Sequence, residues 1–79
     1  MNVKVRLFDT LHRFAPSEAR NGEFTLKVGS ESTLKDLIKM CGLSEESITV
    51  AMINGMIAHL GSRLNDQDEI NIFPPLVGE

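Results

Sequence analysis

Thr33-Leu34-Lys35-Asp36-Leu37-Ile38-Lys39-Met40-Cys41-Gly42-Leu43 is the stretch from which the rest of this 79-residue chain can be read. Leu34, Leu37, Ile38 and Cys41 recur at i, i+3, i+4 and i+7, the spacing that lines up one apolar stripe on an α-helix. Thr33 and Asp36 stand at its head as a capping box, with Asp in place of the usual Glu. Gly42 is placed to take the left-handed conformation at C′, and Leu43 to fold back onto the last turn. One amphipathic helix must lie on a sheet, because nothing else in the sequence would cover its stripe.

The strands of that sheet lie on both sides of the helix. Before it, Val3, Val5 and Leu7 alternate with Lys4, Arg6 and Phe8, a half-buried strand. Asp9 to Asn21 contains Pro16 and small polar residues, with Leu11 and Phe14 suited to cap the core from a short helical turn. Asn21-Gly22 signals a turn, either tight or inside a longer loop. Phe24, Leu26 and Val28 then alternate with Glu23, Thr25 and Lys27. After the helix, Ile48 to Ile53 is an apolar β-rich run ending at Asn54-Gly55, a two-residue hairpin signal, and Met56 to Leu60 returns as a shorter strand. Leu64 precedes the polar turn Asn65-Asp66-Gln67-Asp68-Glu69. Ile70 and Ile72 alternate with Asn71 and Phe73 until Pro74-Pro75 ends the strand for lack of backbone donors.

The order is ββαβ(β)β. With right-handed crossover, it predicts an α+β fold of the β-grasp, ubiquitin-like kind: a mixed four- to five-stranded sheet packed on one main helix. The first and last strands then lie side by side in its middle. Residues 1–79 read as one domain, with 74–79 as a projecting C-terminal tail.

A chain this short buries only about 60% of the surface its unfolded form exposes, which leaves room for one core and none for a deep enzyme cleft. With 42% hydrophobic and 24% charged residues it has a soluble globular composition. No apolar run approaches the roughly 20 residues of a membrane helix. The start, Met1 to Phe8, lacks a signal peptide's apolar stretch. One cysteine excludes an intramolecular disulfide, so a cytoplasmic setting is expected. A net charge of −3, with eight scattered Lys and Arg, argues against nucleic acid.

The residues at this point resemble a known family. VKVRLFDTLH at the start, SESTLKDLIKMCGL at the helix, ITVAMING at the hairpin and LNDQDEINIFPP before the tail are similar to the sulfur carriers related to the small subunit of molybdopterin synthase and to the thiamine-pathway carrier. Leu64 to Pro75 is the most specific part, and the double proline favours the molybdopterin-type branch. The resemblance implies a carrier with no catalytic site of its own and no bound cofactor. Its C-terminal carboxylate would be adenylated by a ubiquitin-activating-like partner enzyme that uses ATP. Conversion to a thiocarboxylate would let it donate sulfur inside a synthase large subunit, for molybdenum or tungsten cofactor or related biosynthesis.

The resemblance also implies roles along the tail. Pro74, Pro75, Leu76 and Val77 form its root, and Gly78 matches the penultimate glycine of the family's Gly-Gly. Glu79 stands in place of the terminal glycine. Glycine suits a tail that threads a narrow channel, because it adds no side chain and admits backbone conformations closed to other residues. The prolines stiffen the root and reduce the entropy lost on docking. Glu79 adds bulk and a second carboxylate beside an ATP phosphate, an unfavourable like-charge pair. Its γ-carboxylate would also be set to attack its own activated α-carbonyl, with an effective molarity on the order of 10⁵ M. Two other readings stay open: a β-grasp module that binds a partner without activation, and a ubiquitin-like protein modifier.

Strand parity turns Phe73 and Phe8 away from the helix, side by side if their strands pair. Phe8, Phe73, Pro75 and Met52 then form a candidate partner interface, since aromatics and Met are enriched at such surfaces. Parity on Ile48 to Ile53 does not decide whether Val50 and Met52 or Ala51 and Ile53 face outward. Cys41, on the helix stripe, reads as a structural thiol. His12 and His59 lie far apart with no second ligand at metal spacing, so no metal site is expected. Asp66, Asp68 and Glu69 fit turn chemistry rather than the twelve-residue calcium loop, and Glu45-Glu46 reads as a solvated loop.

Overall fold

A computed structural model describes residues 1–75. The strands are β1 (Asn2–Leu7), β2 (Glu23–Lys27), β3 (Val50–Ile53), β4 (Met56–Ala58) and β5 (Glu69–Phe73), with the helix α1 (Leu34–Met40) between β2 and β3. They form one mixed sheet in the order β2-β1-β5-β3-β4. β1 runs parallel to β5 and antiparallel to β2, and β3 is antiparallel to both β4 and β5. This is the β-grasp arrangement, with β1 and β5 adjacent in the centre.

Direct pairing across the sheet sorts every residue to a face. Ala58, Ala51, Ile72 and Leu7 form one row on the helix side, and Met56, Ile53, Ile70, Val5 and Phe24 form another. Leu34, Leu37 and Ile38 press onto these rows and complete the core with Val3, Leu11, Val28, Leu43 and Leu64. Each large aliphatic side chain buried this way contributes about 1.5–3 kcal/mol.

The caps of α1 follow the sequence closely. The Asp36 N–H donates to Thr33 Oγ1 at 3.4 Å, and the Thr33 N–H donates to Asp36 Oδ2 at 3.0 Å. At the other end the Gly42 N–H donates to Lys39 O and the Leu43 N–H to Ile38 O, with Gly42 at φ +79°. Those are the two bonds of a Schellman motif, and buried Leu43 supplies its apolar contact.

Two segments differ from the sequence reading, and a third realises both of the alternatives left open. β4 stops at Ala58 instead of Leu60, because residues 59–62 turn back to the helix. Ser62 O and Leu60 O accept the N–H groups of Leu34 and Lys35, two of the donors that a helix N-terminus leaves free. The third strand begins at Val50, after a 3₁₀ turn over Glu45–Ser47 in which Glu45 reaches Lys35 at 3.9 Å. The β1–β2 connection is both long and tight. A 3₁₀ helix over Asp9–Phe14 leads to a close turn at Asn21-Gly22, where both residues have positive φ and Arg20 pairs with Glu23.

Candidate functional site

The parity question on β3 is settled by its partners. Ala51 pairs with buried Ile72 and is itself 5% exposed, so Val50 and Met52 face away from the helix. Val50 lies opposite Phe73, and Met52 lies between Asn71 on β5 and Ile57 on β4. The Phe8 N–H donates to Ile72 O at 3.1 Å, which carries Phe8 one residue beyond β1 alongside β5. Its ring stacks on Phe73 with centroids 4.3 Å apart and planes 13° from parallel. Aromatic pairs contribute about 0.5–1.5 kcal/mol beyond area burial. The Arg6 guanidinium sits 5.2 Å from the Phe8 ring centroid, on the same sheet face.

Phe8, Phe73 and Met52 therefore share one corner of the open sheet face, half-buried, with Val50 between them. Pro74 is half-buried and Pro75 exposed, directly after β5, so these two prolines lie at this same corner. Leu76, Val77, Gly78 and Glu79 lie outside the described residues. The sequence reading left Val50 open and did not name Ile57. Pairing with β5 decides Val50, and Ile57 follows from its pairing with Met52 across the Asn54-Gly55 hairpin.

The other side chains singled out in the sequence take structural places. Asp68, 5% exposed, accepts from Asn54 Nδ2 at 2.9 Å and from the Asn65 N–H at 2.7 Å. Asn54 in turn accepts the Glu69 N–H through Oδ1, which ties the β3–β4 turn to the start of β5. Asp66 accepts the Asn2 N–H at 2.8 Å, and that bond holds its carboxyl below the usual carboxylate range. Cys41 is half-buried at the end of α1, and desolvation pushes its thiol up to about 11. It is a protonated, weakly reactive group at neutral pH. His59 Nδ1 accepts the Gly61 N–H, while His12 packs beside Gly22. No three His, Cys, Asp or Glu among the described residues converge at metal distance.

The profile of Mut7-C ubiquitin matches residues 1–77. The chain belongs to the Mut7-C ubiquitin family. Several solved structures share the fold. Small archaeal modifier protein 1 of Haloferax volcanii is 22% identical over 95% of this chain and 98% of its own, with a TM-score of 0.75. A putative molybdopterin converting factor subunit 1 from Pyrococcus furiosus is 21% identical over 95% of this chain and 98% of its own, with a TM-score of 0.75. In a complex of subunits 1 and 2 of molybdopterin-converting factor from Helicobacter pylori, the matched chain is 25% identical, is covered in full along with this one, and gives a TM-score of 0.63. No curated protein matches the sequence. The ubiquitin-like fold and the likeness to converting-factor subunit 1 agree with the expectation from the sequence. No helix among the described residues is long and apolar enough to cross a membrane.

Proposed function

We propose that this protein is a sulfur carrier that docks the Phe8–Phe73 corner of its sheet on a partner and delivers its tail into the partner's active site. The observation that carries the reading is the coincidence of two features at one place. The stacked Phe8–Phe73 pair lies on the open face where β5 ends, and Pro74-Pro75, stiff and without backbone donors, follows directly. A surface that grips beside a stiff tail root fixes the tail's direction and lowers the ordering cost of insertion.

In this reading an adenylating enzyme uses ATP. The tail carboxylate attacks the α-phosphorus, pyrophosphate leaves, and a sulfur nucleophile then displaces AMP to give the thiocarboxylate. The acceptor is a synthase large subunit, a partner of the kind that subunit 2 is in the Helicobacter pylori complex. The chain contributes docking, orientation and the carried carboxylate, and its partners supply the catalytic groups. A cytoplasmic setting, where ATP and reduced sulfur coexist, belongs to the same proposal.

A second reading is favoured by the likeness to the archaeal modifier: the same activated tail joined to lysines of other proteins. The product separates the two, since a modifier leaves isopeptide-linked conjugates and a carrier does not. Substituting Phe73→Asp tests the docking surface common to both. Affinity for the adenylating enzyme or the large subunit should fall at least tenfold, while circular dichroism shows the chain still folded, its unfolding midpoint lowered only by the lost stacking on Phe8. Unchanged affinity would remove the sheet corner from the account.

A further inference from the structure

The two edges of the sheet are built differently. β2 carries Glu23 and Lys27, and Glu23 lies 3.8 Å from Lys4 on the neighbouring strand. Charges on an edge discourage a second strand from pairing there. β4 has no such protection. From Thr49 to Ser62 the sequence contains no Asp, Glu, Lys or Arg, and Met56 and Ile57 are 74% and 79% exposed.

The hairpin's alternation determines what this edge offers. The turn closes on Ile53 and Met56, which makes them a hydrogen-bonded pair, Met52 and Ile57 a non-hydrogen-bonded pair, and Ala51 and Ala58 hydrogen-bonded again. The Asn54 N–H donates to Glu69 O at 2.8 Å, so the even-numbered positions of this strand turn toward β5, in agreement with that assignment. Ile57 therefore directs both its N–H and its C=O outward from the sheet. Its side chain lies on the open face beside Met52, while Met56 and Ala58 lie on the helix side. Next to Ala58 a groove of about 370 Å³ runs between α1 and the hairpin, lined by Leu34, Ile38, Ile48, Ala51 and Leu60 together with the polar Glu45, Thr49 and His59.

We propose that a second copy of this chain pairs on that edge, β4 antiparallel to β4, about a two-fold axis through Ile57. Ile57, the central residue of the strand, directs both backbone groups outward and so forms the hydrogen-bonded pair on that axis. The register then sets Met56 opposite the second copy's Ala58, over the second copy's groove. Each copy supplies one exposed apolar knob and one partly apolar groove at matching positions, the self-complementarity that an isologous interface requires. The edge also suits a like partner electrostatically. The chain carries a net charge of −3, but none of it lies on residues 49–62, and Glu45, the carboxylate that lines the groove, is offset by Lys35 at 3.9 Å. A three-residue edge buries less than the roughly 800 Å² per partner of a standard interface, so the dimer is a weak, concentration-dependent one. Phe73 lies two strands away, which keeps this inference separable from the docking proposal.

Two measurements on the full chain test it. Sedimentation equilibrium should show dimer growing from micromolar to millimolar concentration, and Ile57→Lys should weaken it at least tenfold with unchanged circular dichroism and unfolding midpoint. In a Cys41→Ser background, Ile57→Cys should oxidise to a disulfide-linked dimer, because Cα atoms across a hydrogen-bonded antiparallel pair are about 5.5 Å apart, inside the disulfide range. Lys27→Cys on the opposite edge should cross-link far more slowly. A chain that stays monomeric at millimolar concentration overturns the proposal, as does dimerisation unaffected by Ile57→Lys, or equal cross-linking from both edges. A strand of another protein as the true occupant would appear as the first of these results.

Discussion

Gly22 shows how much one backbone position carries. Its φ of +78° lies in the left-handed region, and a Cβ there would collide with the Leu7 carbonyl oxygen and approach His12 Cδ2 at 2.8 Å. Gly22→Ala is expected to cost roughly 2 kcal/mol or more, measured by urea unfolding. Cys41 makes a pH prediction. Its thiol titrates near 11 in the folded protein because burial disfavours the thiolate, whereas the unfolded chain loses that proton nearer its ordinary value. The contribution is fully present below the unfolded value and is lost as pH rises through the folded one. Unfolding midpoints should therefore fall between pH 9 and 11, and Cys41→Ala should flatten that fall. Asp36 and Asp66 behave in the opposite sense. Their carboxyls are lowered chiefly by the backbone N–H groups of Thr33 and Asn2, so what they add is present at neutral pH and lost on acidification below the ordinary carboxylate range.

At the scale of elements, α1 was legible nearly whole, because its signals are local: the Thr33–Asp36 box, the Leu34-Leu37-Ile38 stripe and Gly42 each act within a few residues. Thr33→Ala should cost about 1 kcal/mol, read as a shift in the urea midpoint. The hairpin at Asn54-Gly55 was legible for the same reason, since both residues take positive φ. The exposed face of β3 was not, because Val50, Ala51, Met52 and Ile53 are all apolar and only pairing with β5 distinguishes them. The shortened β4 was likewise hidden: residues 59–62 leave the sheet to accept hydrogen bonds from α1, an interaction about 25 residues away in sequence. Asp68 was expected to serve turn chemistry and does, but its reach to Asn54 joins two turns that no local pattern connects. Asp68→Ala strands two donors, Asn54 Nδ2 and the Asn65 N–H. A loss of about 2–4 kcal/mol is expected, with hydrogen exchange rising first at the β3–β4 turn.

For the whole molecule, the central β1–β5 pair explains why the fold and the candidate site coincide. β1 and β5 run parallel, so Phe8 and Phe73 emerge at the same end of the sheet, where Pro74 and Pro75 begin the tail. Sequence parity placed both rings on one face; only the register placed them 4.3 Å apart. The tail's chemistry is the remaining link, and Glu79 is the residue on which it turns. If the residue only obstructs, Glu79→Gly should raise the yield of activated chain several-fold; if the docking surface has diverged, that variant gains nothing. The most direct measurement is intact-mass spectrometry of the chain after incubation with ATP, a sulfur donor and its adenylating enzyme. The account predicts exchange of one carboxylate oxygen for sulfur at the tail, abolished by Phe73→Asp. A chain recovered at its original mass, with Glu79→Gly equally unreactive, would contradict it.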